Sequence, residues 1–315
     1  MSIIRYPDVE WTLPLAGWAD NYALSIVDAF RLLDEKVKLN IQGSYFSSFA
    51  TIGLKTKQIN NQKNLEKLLA AYINLNANLR IDFGTPLTPL KIENDITNYL
   101  LVLGLDYQAS FVISNEEVHN LIKREQKNQI CIASELIAVK KFQNPNNTEN
   151  YDIEKEIDLY NELCEKYDVV ILRPEFSKNY LLDNLNKFKD ISKLEIIVNN
   201  PCLENCPQIL DHLITKQQFY ENREKMFGNQ YCYMEETKMP LEERLKNNNI
   251  HNIELIDKLV AAGIKRINLC GGTNDMLANS NISSMLNYMI KDFATTQMLF
   301  SQIEKGSFEI PRVEY

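Results

Sequence analysis

The chain has 315 residues, 45% hydrophobic and 24% charged, with 34 Lys and Arg against 42 Asp and Glu and a formal charge of −8. That length can bury a full core, and the acidic balance excludes a sequence-independent grip on nucleic acid, because counterion release needs surplus Lys and Arg. The apolar runs, such as Val169 to Leu172, fall far short of the roughly 20 residues that span a bilayer, so no membrane partner is expected.

The start, Met1-Ser2-Ile3-Ile4-Arg5-Tyr6 with Asp8 and Glu10 close behind, has no basic stretch leading into an apolar core. A cytoplasmic location is expected. Residues 1–38, with Trp11, Trp18 and the apolar series Leu24, Ile26, Val27 and Phe30, read as a capping segment with a helix at the bottom or edge of the domain that follows.

From there β-type runs alternate with amphipathic helical patterns. The strands are Leu39 to Phe46, Leu79 to Phe83, Ser110 to Ile113, Ile130 to Ser134, Asp168 to Arg173, Leu194 to Asn199 and Ile264 to Cys270. The helices are Asn61 to Leu75, Ile92 to Leu103, Asn115 to Gln126, Ile153 to Lys166, Tyr180 to Phe188, Pro207 to Met226, Ile250 to Ala262 and Ile282 to Ile303. Such alternation implies an α/β fold with a parallel sheet, and strands as rich in β-branched residues as Val169-Val170-Ile171 suit burial on both faces. An open doubly wound sheet and a closed barrel both accept the pattern. Length favours a (β/α)8, TIM-type barrel, and no turn carries the G-x-G-x-x-G loop of a dinucleotide fold. Residues 39–315 therefore read as one barrel domain, with an insertion at about 200–263.

That insertion opens with Asn199-Asn200-Pro201-Cys202-Leu203-Glu204-Asn205-Cys206-Pro207, at the strand end where barrel chemistry sits. A C-x3-C pair brings two thiolates within reach of one ion. With Cys232 as a third ligand and His212 or Cys270 as a fourth, the set suits zinc or an iron–sulfur cluster. The bland alternative is that Cys202 and Cys206 are small loop residues. Cys131, inside a strand, and Cys164, on an amphipathic helix, read as core. A radical S-adenosylmethionine enzyme would need a third cysteine at position 209, where Ile209 stands.

Polar residues at strand C-termini line the expected pocket: Asp82, Ser114, Glu135, Arg173, Glu175, Asn199 and Asn200. Glu135, Arg173, Glu175 and Asn199 are the substrate-binding candidates. Arg173 offers a bidentate fork to a carboxylate or phosphate, and a buried glutamate can serve as acid or base; the competing reading is an ion pair at the barrel rim. His119 reads as a solvated helix residue and His251 as structural. No G-x-S-x-G elbow supports a serine hydrolase, and no catalytic residue is assigned.

In the order Phe111 to Ser114, Tyr167 to Glu175, Glu195 to Asn199, Cys202-x3-Cys206-Pro207, His212, Cys232 and Leu259 to Gly272, the chain resembles the barrel proteins related to the collagenase-like U-family peptidases, over roughly Leu39 to Ser301. It departs from them at Ile197 and Asn200, where an aromatic and a glycine are usual, at Ile209, where an arginine is usual, and in lacking the second half of the cysteine signature. The resemblance implies a barrel and a metal-type cysteine site. Relatives are described as proteases or as enzymes hydroxylating RNA and ubiquinone with a four-cysteine iron–sulfur cluster. Two classes follow: an enzyme acting on a small or nucleotide-like substrate beside a metal centre, with modification favoured over proteolysis, or a non-catalytic barrel with a structural zinc that serves a protein partner.

Overall fold

The computed structural model describes residues 2–16, 20–33, 37–43, 62–83, 101–102, 104–142, 151–204, 206, 209–210, 240, 243, 248–269 and 278–305. Eight strands close a barrel: β1 (Glu10–Ala16), β2 (Lys38–Gly43), β3 (Asn78–Phe83), β4 (Ser110–Ile113), β5 (Cys131–Ala133), β6 (Val169–Ile171), β7 (Leu194–Ile197) and β10 (Arg266–Asn268). Every pairing is parallel, and β1 closes the ring by pairing with both β2 and β10. This is the α/β, TIM-type barrel that the alternation implies.

One expectation is corrected. Residues 1–38 do not cap the barrel but supply its first βα unit, β1 followed by α1 (Asp20–Leu33). The apolar residues Trp11, Leu13 and Leu15 of β1 recur at every second position and are buried in the shell between sheet and helices, as a strand's two-residue period requires. Pro14 masks the pattern, because it is depleted from strands and offers no ladder donor.

Around the ring lie α2 (Gln62–Asn74), α3 (Glu116–Glu125), α4 (Leu136–Phe142), α5 (Ile153–Lys166), α6 (Pro174–Asn179), α7 (Leu181–Asn184), α8 (Ile253–Ala261), α9 (Ala278–Met289) and α10 (Phe293–Lys305). Caps mark their starts: Asn115 accepts from the Glu117 amide at 2.8 Å, and Asp152 accepts from Glu154 at 3.1 Å, meeting orphan amides of the first turn. α8 ends at Gly263, whose φ of 114° suits a residue without Cβ. Three helix expectations change. The helix expected from Tyr180 to Phe188 is α7 followed by a 3-10 turn at Leu185–Lys187, and α6 precedes it without having been expected. The run Ile282 to Ile303 breaks where Ile290 bridges Ile4 and Asp292 caps α10. The helix expected from Ile250 begins at Ile253 as α8, because Ile250 ends a strand, β9 (Asn248–Ile250). Most of the expected helices Ile92 to Leu103 and Pro207 to Met226 lies outside the described residues.

The lumen has two halves of opposite character. Val112, Ile132, Val169, Ile171 and Ile197 form an apolar cluster separate from the outer shell. The alternation that turns Trp11, Ile41 and Ile81 outward turns Glu10, Thr12, Asn40, Gln42, Arg80, Asp82, Glu195 and Asn268 inward. Arg80 Nη1 donates to both Glu195 oxygens at 2.8 and 2.6 Å, and Nη2 reaches Glu10 at 3.2 Å. The Asn268 amide donates to Glu195 at 2.8 Å and to Gln42 at 3.3 Å, and Gln42 donates to Asp82 at 3.2 Å. Burial pushes the Glu10 carboxyl up, but Arg80, the Asn40 amide and Arg266 together hold it below its ordinary value.

Removing one partner of a buried pair leaves an uncompensated charge. Arg80→Met is therefore expected to lower unfolding stability by about 3–5 kcal/mol in urea titration; a loss under about 1 kcal/mol, the scale of an exposed pair, would show that Glu195 finds other compensation.

Candidate functional site

The C-terminal ends of β2, β3, β5, β7 and β10 carry the polar rim of the mouth. Gln42 and Asp82 approach it from one side, and Glu135 and Asn199 from the other. Glu135 follows β5 directly and introduces α4. Burial raises its carboxyl above the ordinary range; the Ser134 hydroxyl, 3.0 Å away, and the backbone pull it back in part, and the Glu195 charge pushes it further up. A carboxyl so placed holds its proton at higher pH than one in water.

β7 runs on into a two-stranded antiparallel flap, β8 (Asn199–Leu203) with β9 (Asn248–Ile250). Val198 joins barrel and flap, its amide donating to Asn268 O at 3.2 Å and its carbonyl accepting from the His251 amide at 2.7 Å. Cys202 lies half-buried in β8, and Cys206, buried, follows the strand. Just beyond, Ile209 and Leu210 pack on Leu136 and Val139 of α4. The cysteine loop thus rests on the helix that begins immediately after Glu135, and position 209 is an apolar contact where a cluster ligand would need a sulfur.

Of the five expected metal ligands, Cys202 and Cys206 are brought to the mouth on one loop; His212, Cys232 and Cys270 lie outside the described residues. Two thiols are the right donor chemistry for a soft ion. Among the described residues no group of three or more His, Cys, Asp or Glu is placed to hold a metal, so any complete ligand set draws on residues beyond them.

Glu135 and Asn199 stand half-buried at the mouth. Arg173 and Glu175 are buried in an ion cluster: Arg173 Nε and Nη2 donate to the two Glu156 oxygens at 3.2 and 2.9 Å, and Nη1 donates to Glu175. Tyr151 and Tyr160 each donate to Glu156 at 2.7 Å, and the Arg173 guanidinium stacks over Tyr151. Glu156, on a helix, gave no sequence signal for this role. Cys131 and Cys164 are core, their thiols pushed up to about 11 by burial. His119, expected to be solvated, is half-buried: its ring packs 4.5 Å from that of Tyr167, and burial lowers its pKa.

No protein-family model matches the chain, and no curated protein does. Among solved structures, the U32 peptidase Mk0906 is similar with a TM-score of 0.42 and 10% sequence identity, covering 74% of this chain and 85% of that one. The barrel assignment rests on the strand order of this chain itself.

His251, next to β9, is buried with Nε2 3.0 Å from Ser177 Oγ. Ser177 is itself wholly buried and donates to Pro174 O at 2.9 Å, so the pair is a packing contact rather than a nucleophile and its base. Burial first, and then Lys178, hold the imidazole down to about 4. An unfolded histidine takes its proton near 6.5, so the unfolded chain binds more protons as pH falls from about 6.5 towards 4 and stability falls with it. The unfolding free energy from urea titration is expected to drop across that window, by about 3 kcal/mol from this group, and the slope to flatten in His251→Gln; equal slopes in both proteins would assign the pH response elsewhere.

Proposed function

We propose that this chain is an enzyme acting on a small or nucleotide-like polar substrate at the C-terminal mouth of its barrel, with Glu135 moving a proton beside a soft metal centre, an iron–sulfur cluster or zinc, bound through Cys202 and Cys206. The observation that carries this reading is the docking of Ile209 and Leu210 on Leu136 and Val139, which sets the cysteine loop beside the helix that Glu135 introduces. A carboxyl raised by burial holds its proton to higher pH than one in water and is better suited to serve as an acid. Asn199, Gln42 and Asp82 supply hydrogen-bonding groups for orientation, while Val112, Ile132 and Ile171 offer an apolar floor, the usual mix in a ligand site. His212, Cys232 and Cys270 are the proposed source of the remaining ligands. The metal, when bound, would supply redox or Lewis-acid chemistry. Modification is favoured over proteolysis because the described Ser177–His251 contact is sealed from solvent.

Anaerobic purification tests the metal. A brown protein with about four irons per chain supports the enzyme reading; one colourless zinc, with unfolding on chelation, favours the non-catalytic barrel. Cys202→Ala and Cys206→Ala are expected to lose the metal, and a wild-type protein without metal, or a Cys202→Ala protein with full content, contradicts the centre. For Glu135, a panel of nucleotides and small polar compounds is screened by thermal shift, where a ligand at about 100 times its Kd adds roughly 2.7 kcal/mol. Glu135→Gln is expected to weaken that protection and alter its pH dependence; equal protection of both proteins removes Glu135 from the site.

A further inference from the structure

Glu204 stands midway between the two cysteines in Cys202-Leu203-Glu204-Asn205-Cys206. The β8–β9 register shifts between Asn200 and Leu203, and within that shift the Cys202 amide donates to the Asn200 side chain at 2.9 Å. Beyond Leu203 the strand ends. At Cys206 the carbonyl accepts from the Ile209 amide at 3.3 Å, and side chains add to that hold.

Both Glu204 oxygens are taken up by the end of α6. Oε1 accepts from Lys178 Nζ, and Oε2 accepts from Asn179 Nδ2 at 3.2 Å. The same Lys178 ammonium donates to Asn248 O on β9, so one cation ties both strands of the flap to α6. The preceding residue, Ser177, meets His251. Lys178 and Glu204 are only 18% and 22% exposed, which places their bond between a weak surface pair and a costly buried one. α6 is anchored in turn, because it begins directly after Arg173, whose guanidinium is locked between Glu156 and Glu175.

We propose that Glu204 is the positioning residue of the cysteine pair: held by Lys178 and Asn179, its carboxylate fixes where Cys202 and Cys206 stand over the exits of β5 and β6. The inference rests on the reading of those thiols as working groups. Glu204 acts through the loop backbone; neither substrate nor metal is bound by it.

The test uses the full chain and the rate at which iodoacetamide modifies Cys202 and Cys206, read residue by residue by mass spectrometry, alongside metal content and melting temperature. Glu204→Ala and Lys178→Ala are each expected to raise the Cys206 rate by about tenfold, the scale of losing one charge-assisted bond. The double variant should go no further than the larger single, Lys178→Arg should restore the slow rate, and the melting temperature should stay near wild type. Should Glu204→Ala fail to fold, Glu204→Asp keeps the charge, shortens the reach by one methylene and gives the same readout. Unchanged rates, additive effects of the two variants, or a rise that merely follows a loss of global stability overturn the proposal. Tenfold faster modification in a protein whose wild type carries no metal contradicts the metal centre and supports the positioning role. Metal in the wild type, with rates and metal content unchanged in Glu204→Ala, overturns the positioning role and leaves the centre standing.

Discussion

A guanidinium inside a closed barrel has no water to turn to, and Arg80 is tolerated only because Glu195 meets it with two hydrogen bonds and Glu10 with a third. The pair crosses the lumen from β3 to β7. It holds together strands that share no ladder, and Asn268, Gln42 and Asp82 extend the network from the barrel centre towards the mouth. The opposite side of the lumen is filled by aliphatic side chains on β4 to β7. The mouth therefore inherits two kinds of wall, polar over β2, β3 and β10 and apolar beneath β5 and β6, before any loop is added.

On that base the flap is fastened at three points of different chemistry. Val198 hydrogen-bonds to β10 and to the His251 amide, Ile209 and Leu210 pack on α4, and Glu204 is gripped by α6. α4 and α6 follow the neighbouring strands β5 and β6, so Glu204 and the Ile209–Leu210 pair are held by adjacent units of the barrel. Rigid support of this kind is what a site needs if its reacting groups are to be held in place without the help of substrate. The buried cluster of Arg173, Glu156, Tyr151 and Tyr160 belongs to the same support, since it fixes the start of α6.

Much of the fold was legible because it depends on local pattern. Seven strands announced themselves as β-type runs alternating with helical patterns. β1 was hidden by Pro14 and by a makeup poor in β-branched residues. The lumen network was hidden for another reason: Arg80 and Glu195 lie 115 residues apart, and nothing in either neighbourhood marks the other as a partner. The same holds for Arg173, whose polar type suggested a ligand fork, whereas its surroundings turn it inward to Glu156 on the preceding helix. The places of Glu135, Asn199 and Cys202 after strand ends were legible; the clamp on Glu204 was not, because α6 was expected to begin six residues later.

The central claim is that Cys202 and Cys206 bind a soft metal at the mouth beside Glu135. X-ray absorption at the metal edge of anaerobically purified protein tests it most directly. The account predicts scattering from at least two sulfur neighbours at about 2.3 Å in the wild type, and loss of that shell together with the metal in Cys202→Ala. A shell of nitrogen and oxygen alone, or a sulfur shell that Cys202→Ala leaves intact, would contradict it.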